Sequence, residues 1–168
     1  MSILYYGTGG EFGYLSNQIR CPITIDGNVF LSNIHYILYR MYGKFESAAA
    51  CGYAKSLTDI AIINKVFSGF PTREEYDEKE WLNIVDEVTD TCNMAKFTQH
   101  PELGKKLLAT SKIIIAEACP NEYIWGIGVG KAKGKDVKNW KGRNTAGSSL
   151  MRVRTLLAND MLYLSKTI

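Results

Sequence analysis

The sequence predicts one mainly helical domain carrying a few short strands, and three observations predict it. Its 168 residues suit a single core, apolar residues recur at helical spacing over most of the chain, and β-prone runs are confined to three brief stretches. A chain of this length buries about two-thirds of its unfolded surface, so neither disulfides nor a metal is needed to fold it.

In order, Ile3-Leu4-Tyr5-Tyr6 reads as a strand, and the glycine-rich Gly7 to Gly13 as a mobile loop without the spacing of a dinucleotide fingerprint. Two β-prone runs between Pro22 and Phe30 flank Asp26-Gly27, a hairpin signal because both turn positions need positive φ. Ser32 or Asn33 caps a helix to about Tyr42, with Gly43 as its end. Glu46 to Ala54 and Thr58 to Phe67 read as further helices, stopped at Ser68-Gly69-Phe70-Pro71. Thr72 then opens an acidic segment whose Trp81, Ile84, Val85, Val88 and Cys92 share one helical face for about four turns. Pro101 starts a short helix through Ala109, and Lys112 to Ala118 forms a strand by its isoleucine run. Val129 to Gly142 reads as loop, and Asn144 caps a last helix with Ala146, Leu150, Val153, Leu157 and Met161 on one face.

Composition excludes several classes. The charged share of 22% is ordinary for a globular protein, and a net charge of +3 falls short of a general nucleic-acid binder, although Lys131 to Arg154 is locally basic. Cys21, Cys51, Cys92 and Cys119 lack the paired spacing of a metal site, so no metal and no cofactor is expected. Free buried thiols in a reducing, cytoplasmic compartment are the expectation. No apolar run approaches a membrane span.

Residues able to carry chemistry gather between Met94 and Arg154. Lys96 continues the apolar stripe of the long helix, where it either snorkels its ammonium to water or serves as a desolvated nucleophile. Glu117 ends a strand and can act as acid, base or hydroxyl clamp, or can simply be a solvated strand end. Trp125-Gly126-Ile127-Gly128 sets a flat ring beside backbone that a ligand can approach, an arrangement a core tryptophan at a tight turn would share. The start of the last helix, with Arg143 and backbone amides at its mouth, is a candidate phosphate seat. His35 lies on a helix flank, as a hydrogen-bonded structural residue or as a base.

Taken together, the motifs resemble the NADAR (YbiA-like) family. They are Leu15-Ser16-Asn17, His35-Tyr36, Trp81, Ala95-Lys96-Phe97-Thr98-Gln99-His100-Pro101-Glu102-Leu103, Glu117, Trp125-Gly126-Ile127-Gly128 and Gly142-Arg143-Asn144 with the helix that follows. The resemblance covers nearly the whole chain, 1–168 as one domain, and is most specific from Lys96 to Arg154. It implies an α+β fold, mainly helical with a small antiparallel sheet, and hydrolysis of N-glycosidic bonds, with water joined to a ribose carbon and an amine or base released. The substrates implied are phosphorylated riboflavin-pathway intermediates and ADP-ribose attached to guanine in DNA or RNA, with no membrane partner. By the same resemblance Lys96 attacks or stabilises the ribose carbon, with a Schiff base to an opened sugar as one route, and Glu122, at the family's aspartate position, carries acid/base duty. Asn17, His35, Tyr36, Trp81, Glu117, Trp125, Gly126, Gly128, Arg143 and Asn144 are the implied substrate contacts.

The departures lie in the first half. Where the family has an acid, a glutamine and a lysine on the helix after the hairpin, this chain has Ile34, Leu38 and Met41, and Tyr53 stands where the family has arginine. Two further readings therefore stand beside the N-glycosidase: a non-catalytic module for ADP-ribose or a related nucleotide, and a structural protein that has kept only the fold.

Overall fold

A computed structural model describes residues 2–166, with side chains through residue 160. The order is β1 (Ser2–Tyr5), a 3-10 turn (Gly13–Leu15), β2 (Ile23–Ile25), β3 (Asn28–Phe30), α1 (Asn33–Phe45), α2 (Ala48–Ser56) and α3 (Ile60–Gly69). A second 3-10 turn (Phe70–Thr72) leads to α4 (Glu78–Leu82), α5 (Val85–Gln99), α6 (Pro101–Ala109), β4 (Ile114–Glu117), α7 (Lys131–Gly134), a third 3-10 turn (Val137–Asn139) and α8 (Thr145–Lys166). The fold is α+β and mainly helical. It forms two compact units, one of Met1–Ser16 with Lys96–Ile168 and one of Asn17–Ala95.

In the Asn17–Ala95 unit, Asp26 and Gly27 turn at φ of 50° and 74° and close the antiparallel β2–β3 hairpin, with Ile23 opposite Phe30. Ser32 caps α1 by accepting the His35 amide at 3.2 Å. Gly43 does not end this helix, which runs to Phe45. A mid-helix glycine costs about 1 kcal/mol, offset here by Phe45, whose ring packs on Phe70, Tyr76 and Trp81. The absent side chain also serves packing, since a Cβ at Gly43 would press on the Cys51 sulfur of α2. The acidic helix expected from Thr72 is two helices. Thr72 closes a 3-10 turn, and Asp77 caps α4 by accepting the amides of Lys79 and Glu80. The apolar stripe nevertheless survives the break, with Trp81, Val85, Val88 and Cys92 all buried.

In the other unit, β1 and β4 pair in parallel, Ser2 opposite Ile114 and Tyr5 opposite Glu117. Among the described residues the antiparallel sheet is thus the hairpin alone. Helix α8 packs on β4 and α6, and α7 on β1. The stretch 129–142, expected as loop, holds α7 and a 3-10 turn because Leu4 and Trp140 pack on the cluster of Ala116, Ala118, Ile127 and Val129, and the Trp140 indole donates to the Gly134 carbonyl at 2.9 Å. Ala146, Leu150 and Val153 face the core from α8 as expected, and Met161 lies outside the described side chains. Among the described residues no helix is long and apolar enough to cross a membrane. The four cysteines are free thiols, Cys21 and Cys92 buried, Cys51 and Cys119 only partly so.

Candidate active site

The carboxyl ends of parallel strands are where open sheets present functional groups, and here those ends are Tyr5 and Glu117. Side chains alternate along a strand, so the partners Ile3 and Ile115, Tyr5 and Glu117 share one face. Burial, reinforced by the charge of Glu122, pushes the Glu117 carboxyl up to about 7. Burial, and then the charge of Glu117, pushes the Tyr5 hydroxyl well above its usual range; that hydroxyl is buried without a hydrogen-bond partner among the described residues. The Cys119 thiol is raised by burial and by both carboxylates, which places it in the same electrostatic neighbourhood.

Main-chain geometry fixes this cluster. Asn144 sits at φ 56°, its side-chain amide donating to the Ile115 carbonyl at 2.9 Å and its oxygen accepting the Glu117 amide at 3.1 Å. The expected cap of α8 is therefore a clamp on β4. A side chain at Gly147 would run into the Ile115 carbonyl, so glycine there lets α8 start flush against the strand. The Ile127 amide returns to the Glu117 carbonyl at 2.9 Å.

The phosphate seat expected at the start of α8 is already filled by protein. The amides of Arg143, Asn144, Thr145 and Ala146 donate to the carbonyls of Tyr123, Gly126, Ile124 and Trp125 at 2.8 to 3.1 Å. The Arg143 side chain is exposed. Nor do the glycines of the turn open space for a ligand: a Cβ at Gly126 would meet the Glu117 carbonyl, and one at Gly128, which has φ 67°, would meet the Tyr123 ring. Glu122 is half-buried and spends one carboxylate oxygen on the amides of Ile124 and Trp125, at 3.1 and 3.2 Å. Trp125 is 8% exposed, held mainly in the core.

Lys96, in the same unit, is 1% exposed, so it does not snorkel. Its ammonium donates to the Ser16 carbonyl at 2.9 Å and lies 5.3 Å from the centre of the Phe97 ring, the two kinds of partner that make a buried ammonium tolerable.

The remaining sequence-derived residues lie in the Asn17–Ala95 unit. His35 is structural: Nδ1 accepts the Leu31 amide at 3.1 Å and Nε2 meets the Ala54 carbonyl at 2.7 Å, leaving neither nitrogen for a ligand, while burial lowers its pKa. Trp81, 1% exposed, is a core residue with no free ring face. Tyr36 accepts from Arg40 at 2.8 Å and lines a cleft of about 250 Å³ with Phe30, Tyr39 and Arg40. Asn17 accepts from the Asn33 side chain at 2.9 Å, and Asn33 also donates to Asn93 at 2.7 Å. This buried amide chain, whose Asn33 Oδ1 has no partner among the described residues, was not foreseen, and neither was Tyr5; both depend on segments far apart in sequence. Ile34, Leu38 and Met41 are all buried.

Comparison with known proteins agrees with this architecture. The NMR structure of the Escherichia coli protein YbiA matches with a TM-score of 0.78 at 27% identity, covering 96% of this chain and 89% of that one. N-glycosidase YbiA of Shigella flexneri is 29% identical over 156 residues, 93% of this chain and 88% of that protein. An N-glycosidase of Acanthamoeba polyphaga mimivirus is 41% identical over 79 residues, 46% of this chain and 44% of that protein. The NADAR domain model matches residues 4–158. This chain belongs to the NADAR domain family.

Proposed function

We propose that the protein hydrolyses the N-glycosidic bond of a ribose-phosphate or ADP-ribosyl substrate: ADP-ribosylated guanine in nucleic acid, or a phosphorylated riboflavin-pathway intermediate. The observation that carries this reading is the near full-length match to proteins named N-glycosidase. The chemistry of the β4 end supports it. Breaking a ribosyl–nitrogen bond builds positive charge on the sugar and negative charge on the departing base, so the reaction needs a carboxylate and a proton source. Burial, and after it the charge of Glu122, raises the Glu117 carboxyl to about 7, so that it holds a proton near neutrality. In this reading Lys96 attacks or stabilises the ribose carbon, and Trp125 stacks on the ligand with what remains of its exposed surface.

Incubation with ADP-ribosylated guanosine, or with a ribosylaminopyrimidine phosphate, is expected to release free base, and Lys96→Ala to stop release. Borohydride added during turnover tests the covalent route: a Schiff base leaves a mass adduct on Lys96, whereas full turnover with no adduct removes Lys96 as nucleophile. A second reading, a module that binds ADP-ribose without cleaving it, draws on the buried apolar Ile34, Leu38 and Met41, which cannot supply the charge of the family residues. A thermal shift with ADP-ribose and no product from either substrate would select it.

A further inference from the structure

Resting on the N-glycosidase reading, we propose that Glu117 is the acid that protonates the departing nitrogen, and that Tyr5 is its positioning residue, donating a hydrogen bond to the carboxylate once the proton has left. The two carboxylates at the β4 end are not equivalent. Glu122 holds its own turn through the Ile124 and Trp125 amides, so one of its oxygens is committed to shape. The Glu117 side chain makes no hydrogen bond to any described residue, and its main chain is fixed by Asn144 and Ile127. A group anchored by its backbone and unengaged at its carboxyl is arranged to exchange a proton.

Tyr5 supplies the second observation. It stands opposite Glu117 at the end of the parallel pair, 1% exposed, its hydroxyl without a hydrogen-bond partner among the described residues. A buried donor left unsatisfied carries a desolvation cost, and a catalytic partner that becomes an acceptor during the reaction is one way that cost is recovered. While Glu117 is protonated it has little need of a donor. Once ionised, it becomes the acceptor that the hydroxyl lacks, and the stabilisation is realised as charge develops. Among the described residues, the titratable groups coupled to Glu117 are Tyr5 from β1 and Cys119 and Glu122 from the following turn; α8, packed on β4, spends Arg154 at the strand's other end on Thr110 and the Ile113 carbonyl.

The Glu117 carboxyl gives its proton to the base nitrogen while the bond from nitrogen to the ribose carbon breaks, its electron pair leaving with the nitrogen. Water adds through oxygen to the ribose carbon, and the proton it loses restores the carboxyl.

The test measures release of free base from ADP-ribosylated guanosine against pH, with Glu117 followed separately by carboxyl-carbon NMR. Glu117→Gln, which keeps size and polarity, is expected to lower kcat by about 10²-fold or more. Tyr5→Phe is expected to move the alkaline limb and the Glu117 titration upward by about half a pH unit or more, since the charged form loses a donor, with no loss of thermal stability. Glu122→Gln is expected to move both downward, since a like charge is removed. A Glu117→Gln enzyme within threefold of the parent overturns the acid assignment and leaves the glycosidase reading standing. An unchanged limb and midpoint in Tyr5→Phe, with a lowered melting temperature, makes Tyr5 purely structural and overturns the pairing. If the parent releases no base, the glycosidase reading and the acid role fall together, and the NMR midpoint of Tyr5→Phe then decides the pairing alone.

Discussion

The position of Glu117 makes the stability of the folded protein depend on pH in a specific direction. Its carboxyl is raised to about 7 by burial and by Glu122, from a usual value of 4.5. Between these values the folded chain holds a proton that the unfolded chain has released, so folding is progressively disfavoured as pH rises through the window. Below 4.5 both states are protonated and Glu117 contributes nothing; above 7 both are ionised and the full cost of burying the charge is present. The gap corresponds to about 3 kcal/mol, or roughly 2 once partial access of water to the carboxyl is allowed for. Glu117→Gln abolishes the titration while keeping the shape. Urea unfolding of the parent and the variant at half-unit steps from pH 4 to 8.5 isolates the effect as the difference between the two curves. The variant is expected to gain roughly 2–3 kcal/mol over the parent across the window, then run parallel to it above pH 8. Parallel curves throughout would refute both the burial of the carboxyl and its coupling to Glu122.

Three further outcomes follow from the same neighbourhood. Asn144→Ala removes both bonds to β4 and places alanine at φ 56°, which is expected to cost about 2–4 kcal/mol in chemical unfolding; a loss under about 1 kcal/mol would mean that water replaces the clamp. Gly147→Ala drives a methyl into the Ile115 carbonyl and is expected to be among the most damaging single substitutions in α8, read as a fall in melting temperature of about 10 °C or more. Lys96→Met keeps the length of a fully buried side chain and is expected to leave stability within about 2 kcal/mol of the parent while abolishing turnover; retained turnover would reduce Lys96 to a packing residue.

What the sequence foretold was what local chemistry dictates. Asp26-Gly27 has no comfortable home outside a positive-φ turn, and Ser32 offers a hydroxyl where a helix needs an acceptor, so the hairpin and the start of α1 were legible. The stripe from Trp81 to Cys92 was legible as burial yet misleading as continuity, because two helices that break at Asn83 and Ile84 still present one face. The parallel pairing of β1 with β4 left no local trace: more than a hundred residues separate the partners, and register emerges only when both pack against the same core. Tyr5 was invisible for that reason, since a tyrosine in a terminal strand acquires meaning from the glutamate placed opposite it. His35 and Trp81, read as ligand contacts, are buried among protein partners instead. Polar and aromatic side chains satisfy interiors as readily as ligands, and only the partners of the His35 nitrogens distinguish the two.

The ladder of four amides at the start of α8 has a consequence for how this protein can diverge. Those links run from main chain to main chain, between residues 143–146 and the carbonyls of residues 123–126. Backbone does not change with the genetic code, so the loop's outline is insulated from the identity of most of its own side chains. The side chain of Tyr123, half exposed at the lip, can be exchanged without unpicking the ladder. The rim can therefore drift toward new ligands one substitution at a time while the strand end behind it holds still, a division of labour between an inherited frame and an editable edge.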